Sequence, residues 1–126
     1  MYYAAKEQDL SLIINSSYRS YQDQEATYDT YRNYYGLSYA DSVAARKGHS
    51  EHQTGLALDI FSPTSSMQNF HETEEYKWLQ NNSYKYGFIL RYPEGKEDIT
   101  GYNFEAWHYR YVGVDVATYI YENDIT

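Results

Sequence analysis

The chain of 126 residues carries 18 acidic against 10 basic side chains, a formal net charge of −8, and no cysteine. Such a length makes one domain that buries about two-thirds of its unfolded surface. The charge excludes a nucleic-acid binder and docking to an anionic membrane by charge alone, and the lack of cysteine excludes disulfides, thiol nucleophiles and thiolate-closed zinc sites.

Met1 to Lys6 reads as the middle of an amphipathic helix whose tail runs over residues 2–8, so a truncated N-terminus is expected. No basic-then-apolar leader opens the chain, and no apolar run approaches the ~20 residues of a membrane span, so no direct membrane insertion is expected. Leu10 to Asn15 is apolar and β-branched, a strand pattern. Tyr21 to Tyr35 reads as a helix capped by Ser20, with Asp23 in its first turn. Its Tyr28, Tyr31 and Tyr35 recur at helical spacing and are expected to face the core. Asp41 to Arg46 suggests a short helix ended by Gly48, and Leu56 to Phe61 a strand halted by Ser62-Pro63. Thr73 to Tyr86 reads as a long helix with Glu74 and Glu75 in its first turn and Gly87 as its stop. A short strand (Phe88 to Arg91), a turn (Pro93 to Lys96), a strand (Trp107 to Val112) and a helix (Val114 to Glu122) complete the chain. The pattern predicts an α+β fold, a small, mainly antiparallel sheet with helices packed on it. The 18 tyrosines are read mostly as rings filling a small core with hydroxyls at its rim, the alternative being aromatic platforms for sugar or peptide.

Two segments carry the chemistry: Ser50-Glu51-His52-Gln53-Thr54-Gly55-Leu56-Ala57-Leu58-Asp59 and Glu105-Ala106-Trp107-His108. They offer two imidazoles and two carboxylates, enough to hold a zinc ion with three ligands and leave one carboxylate to work on a bound water. A set of three non-thiolate ligands implies a catalytic ion with an open position. His52 and Asp59 are seven residues apart, so on one unbroken strand they would face opposite sides. Both reach one ion only if the backbone turns between them, and Thr54-Gly55 is the natural place. Glu105 and His108 are three apart, which places Glu105 on a bend before the strand that carries His108. His49 and His71 read as loop and surface residues without a chemical role. Arg46, Arg91 and Arg110 read as structural, with Arg46 the best of them for a second substrate contact.

With Ser17-Tyr18-Arg19-Ser20-Tyr21-x-x-Gln24 and Glu105-Ala106-Trp107-His108-Tyr109-Arg110-Tyr111-Val112-Gly113, the His52 segment resembles VanY-type D,D-carboxypeptidases and the related LdcB-type L,D-carboxypeptidases. These belong to the LAS group of zinc metallopeptidases, with a hedgehog-like peptidase fold, that trim peptidoglycan stem peptides. The resemblance runs from about Ala5 to Val114 as a single peptidase domain. It implies that His52, Asp59 and His108 bind zinc, that Glu105 is the catalytic base and that Arg19 stabilises the oxyanion. Gln24 and Ser50 would lie near the substrate's terminal residue, flanked by Tyr18 and Trp107. It also implies an extracytoplasmic monomer that takes a C-terminal D-alanine from a stem peptide. Cleavage of the tetrapeptide (L,D) is slightly favoured over the pentapeptide (D,D). A non-catalytic zinc module and a peptidoglycan endopeptidase are the alternatives. Two departures from the family pattern bear on loop geometry: Ser17 stands where glycine is expected, and Lys47 where proline is common.

Overall fold

The computed structural model describes all residues from Met1 to Thr126. Four strands, β1 (Ile13–Ser16), β2 (Ala57–Phe61), β3 (Phe88–Leu90) and β4 (His108–Tyr111), form one sheet in the order β1-β2-β4-β3. Every neighbouring pair is antiparallel. Directly opposed residues of such a pair share a face. One face therefore presents Leu58, Tyr109 and Leu90 in a row. These join a core that includes Ile60, Phe70, Trp78 and Leu79. Phe70 and Leu79 are wholly buried, each contributing about 1.5–3 kcal/mol relative to exposure. The other face carries Asp59 opposite His108 and Ala57 opposite Arg110. The sheet thus has a packing side and a chemical side.

Six helices surround it: α1 (Tyr2–Lys6), α2 (Tyr21–Tyr35), α3 (Leu37–Val43), α4 (Glu74–Asn82), α5 (Glu97–Thr100) and α6 (Val114–Glu122). Ser20 caps α2 by accepting from the Asp23 N–H at 3.1 Å, and Thr73 caps α4 by accepting from Tyr76 at 3.2 Å. These hydroxyls satisfy amides that have no partner in the first turn, which is why both helices begin where the sequence places them.

Five expectations are corrected. The short helix lies at 37–43, not 41–46, because Gly36 breaks α2 at φ 87° and the chain re-enters a helix at once, leaving it at the extended Ala44. The predicted long helix is α-helical only to Asn82. It then tightens to a 3-10 turn over Ser83–Tyr86, and Gly87 stops it at φ 82°. A Cβ at Gly87 would meet the Tyr111 ring at 2.6 Å and the Gly113 backbone at 3.0 Å, so only glycine fits there. The one-turn α5 was not foreseen, and β1 starts three residues later than expected. The tyrosine stripe of α2 divides along its length. Tyr28 is buried and donates to Asp41 Oδ1 at 2.5 Å, Tyr31 is half-buried, and Tyr35 is exposed on the last turn.

Candidate metal centre and active site

β2 and β4 set Asp59 and His108 side by side on the chemical face of the sheet. His52 joins them from a 3-10 turn over Glu51–Thr54 that ends at Gly55, φ 72°. That turn reverses the backbone between His52 and Asp59, as their odd spacing demanded. Ser50 starts it by accepting from the His52 N–H at 3.3 Å. The ligating atoms of His52, Asp59 and His108 all lie within 4.8 Å of one another, and all three residues are buried.

Hydrogen bonding assigns each imidazole its free nitrogen. His52 Nδ1 lies 2.6 Å from the Ser17 carbonyl, an acceptor only, so Nδ1 carries the proton and Nε2 faces Asp59 Oδ1 at 3.3 Å. His108 is bound the opposite way. Its Nε2 donates to Glu51 Oε2 at 3.2 Å, and its Nδ1 faces Asp59 Oδ1 at 3.4 Å. Asp59 Oδ1 is buried with no hydrogen-bond partner in the protein, a costly arrangement for a carboxylate oxygen unless a cation takes the place of the missing donor. Two imidazole nitrogens and one carboxylate oxygen converging on one point fit a zinc ion with an open coordination position.

The electrostatics agree. Burial pushes the Asp59 carboxyl up, but contacts with His108 and His52 outweigh it and hold it below the ordinary value. Glu105 has no such partner, and burial pushes it up to about 7, with His108 opposing and Asp59 adding to the rise. It lies on the bend before β4, its N–H donating to Tyr92 O at 3.0 Å and its carbonyl accepting from the His108 N–H at 3.3 Å. Its Oε2 is 3.7 Å from His108 Nδ1, beside the ligands without displacing one. A carboxylate poised near neutrality accepts and returns a proton efficiently.

Arg19 enters the same pocket from the loop between β1 and α2. Its N–H donates to the His52 carbonyl at 3.1 Å, which locks that loop to the metal-binding turn. Its guanidinium donates from Nη1 to Gln24 Oε1 at 2.8 Å and from Nη2 to Ser16 Oγ at 3.1 Å. Gln24, 1% exposed, also donates from Nε2 to the Ala45 carbonyl at 2.6 Å. Its amide oxygen and nitrogen both have partners in the protein, so in this structure Gln24 holds Arg19 in place. Ser17 does not have a positive φ, so a serine there is unstrained and still supplies the carbonyl that fixes His52. Lys47, the other departure, pairs with Glu25 on the surface.

Arg19, Gln24, Ser50, Glu105 and Trp107 line one small pocket with the three ligands. Tyr18 does not; its side chain is 66% exposed, since its neighbour Arg19 turns inward and adjacent side chains of non-helical backbone point to opposite sides. Arg46 also lies outside this pocket, held to Asp41 by two 3.0 Å hydrogen bonds, the structural role expected of it. His49 is exposed outside this pocket and His71 edges the Phe104 ring, neither near the ligands.

The residue that sequence reasoning missed is Glu51. Besides His108 it accepts from Arg91 Nε at 3.0 Å and lies 3.3 Å from Arg110 Nη1. Burial raises its pKa, but His108 and Arg91 overcome that and keep it low. An ionised carboxylate on a ligand's far nitrogen fixes the ring's tautomer and raises its basicity. Arg91 and Arg110 are structural, as expected, but their task is to hold this carboxylate. Its place beside His52 in the motif was the available signal, although its partner is His108.

A model of the VanY family, described as D-alanyl-D-alanine carboxypeptidase, matches residues 1–114. The chain belongs to that family. It is 39% identical over 133 residues to a D-alanyl-D-alanine carboxypeptidase of Enterococcus faecalis, covering 97% of this chain and 48% of the relative. Among solved structures, the LdcB LD-carboxypeptidase superposes with a TM-score of 0.92 at 46% identity, covering 100% of this chain and 60% of that one. VanYB in complex with D-alanine-D-alanine gives 0.84 at 39%, covering 98% and 72%. A vancomycin resistance D,D-pentapeptidase VanY variant in complex with Zn(II) gives 0.83 at 37%, covering 98% and 73%. The chain spans about half the length of the curated relative it matches.

Proposed function

We propose that this chain is the catalytic part of a zinc-dependent carboxypeptidase that removes a C-terminal D-alanine from peptidoglycan stem peptides. The observation that carries the reading is the convergence of Glu105 and Arg19 with the His52, Asp59 and His108 ligands in one pocket of about 80 Å³. A zinc module that only binds would need neither the buried base nor the anchored guanidinium. When bound, zinc supplies a Lewis acid that lowers the pKa of an attacking water toward neutrality. Glu105 takes the proton of that water and returns it to the departing D-alanine amine. Arg19, always charged and held by Gln24 and Ser16, faces the oxygen on which negative charge develops, a contact worth about 10²–10³ in rate. Ser50 edges the same pocket, which has room for a small terminal residue. Trp107, stacked on Phe61 at 6.1 Å, forms its wall.

We further infer L,D cleavage of the tetrapeptide over D,D cleavage of the pentapeptide. The support is the likeness to the LdcB LD-carboxypeptidase, 46% identical with a TM-score of 0.92, and it rests on that one relative, since the L,D-carboxypeptidase DacB and VanYB both superpose at 0.84. We place the activity outside the cytoplasm, where that substrate lies, and propose a monomer; one chain supplies every group named, so the chemistry needs no residue from a second copy. Mass spectrometry of defined tetra- and pentapeptide stems tests the choice. Faster loss of D-alanine from the tetrapeptide is expected, and preference for the pentapeptide would reverse it.

A further inference from the structure

The tyrosines at the end of α2 and on α3 take no part in the chemistry above. The rings of Tyr35 and Tyr39 lie 5.0 Å apart, and Tyr31 lies 6.4 and 6.3 Å from them. Tyr35 is 65% and Tyr39 45% exposed, a large aromatic surface to leave in water. With Phe104 and Trp107 they wall a groove of about 520 Å³. It is continuous with the catalytic pocket, because Tyr31, Met67, Glu105 and Trp107 border both. The remaining polar lining is the side-chain amides of Gln68 and Asn103 and the imidazole of His71, and no Lys or Arg faces the groove.

We propose that this groove is a subsite for the N-acetylated amino sugar to which a stem peptide is attached. The inference rests on the stem-peptide reading and extends the substrate from peptide to glycopeptide. Aromatic faces with nearby amides suit a pyranose ring, which offers flat C–H surface to the rings and hydroxyl and acetamido groups to the amides. Stem residues carry carboxylates and an amine that need charged partners, whereas the sugar's carboxyl is consumed in its bond to the peptide, leaving it neutral. The reach also fits. Three residues separate the sugar from the scissile bond of a tetrapeptide, roughly 10 Å of extended chain, and Tyr35 lies one helical turn, about 5.4 Å, beyond Tyr31 at the pocket edge.

The test compares hydrolysis of a free stem tetrapeptide with that of the same peptide carrying its N-acetylmuramyl sugar. The wild-type chain should favour the glycopeptide in kcat/KM by on the order of tenfold, the worth of one or two ring contacts. Tyr35→Ser with Tyr39→Ser should abolish that preference while leaving free-peptide turnover unchanged. Tyr35→Phe with Tyr39→Phe, which keeps the rings, should retain most of it. Equal turnover of the two substrates by the wild type, or a preference that survives the serine pair, would overturn the subsite. If neither substrate is cut, the carboxypeptidase reading fails by itself. Titration of the zinc-loaded chain with N-acetylmuramic acid whose lactyl carboxyl is capped as an amide then decides: saturable NMR shifts of the Trp107 indole that the serine pair removes would sustain the subsite, and unmoved signals would end it.

Discussion

Replacing Glu51 with alanine should weaken zinc binding without touching a ligand. The carboxylate lies 3.2 Å from His108 Nε2 and makes the hydrogen bond that commits Nδ1 of that ring to the metal. A hydrogen bond to a charged group contributes about 1.5–3 kcal/mol, which converts to roughly 10- to 150-fold in affinity. Loss of an outer partner of a metal-bound histidine costs about 10–100-fold, the same range from independent reasoning. Arg91 and Arg110 also lose their partner, but Arg91 is about one-third exposed and water takes over its hydrogen bonding at little cost. Glu51→Gln keeps an acceptor oxygen without the charge and should fall between the two. The assay is competition for zinc against a chromophoric chelator, with circular dichroism confirming the fold. An unchanged zinc affinity in Glu51→Ala would refute the argument that this carboxylate orients His108.

Other outcomes follow from the same geometry. Arg19→Ala should lower kcat with zinc content unchanged, and Arg19→Lys should recover only part of the rate because it lacks the planar fork that Gln24 and Ser16 hold. Gln24→Ala should reproduce part of the Arg19→Ala defect and add nothing to it in the double variant, as steady-state kinetics on the four forms would show. Amidating the substrate's C-terminus should cost about 1.5–3 kcal/mol in kcat/KM if its carboxylate is recognised; equal turnover in a mass spectrum would favour an endopeptidase. In zinc-free protein, burial lowers the His108 pKa, but Asp59 and Glu51 raise it overall to about 9, from an ordinary 6.5. That contribution to stability is complete below the ordinary pKa and is lost as pH rises through 9. Burial of Glu105, with a folded pKa of about 7, removes stability over a lower range, from its ordinary pKa up to 7. Both act in one direction, so the melting temperature of the zinc-free form should fall between about pH 6 and pH 9. A melting temperature that rose over that interval would contradict the placement of both groups.

Much of the site was legible in the sequence because its constraints are local. The odd spacing of His52 and Asp59 demanded a reversal, and the 3-10 turn closing at Gly55 supplies it. The spacing of Glu105 and His108 demanded a bend before β4, which is where Glu105 lies. What was not legible depends on partners far apart in the chain. Glu51 stands out locally only as the neighbour of His52, and its action on a ring 57 positions away is not recorded by that adjacency. Gln24 reads as a substrate contact, and its second task, bridging the Ala45 carbonyl and the Arg19 guanidinium, shows only in three dimensions. The tyrosine stripe has regular helical spacing, but periodicity cannot say where a helix runs beyond the core it packs on. Tyr28 is therefore buried while Tyr35, on nearly the same face, meets water. Edges behave likewise: the apolar run of β1 leaves Ile13 and Ile14 exposed on the sheet's outermost strand.

The central claim is that Glu105 moves the proton and binds no metal, so the most direct test measures zinc content and D-alanine release together in Glu105→Ala. One zinc per chain, as in the wild type, with release from a stem tetrapeptide reduced by about 10²–10⁴ is the predicted result. D-alanine release at the wild-type rate from a zinc-loaded Glu105→Ala chain would contradict it.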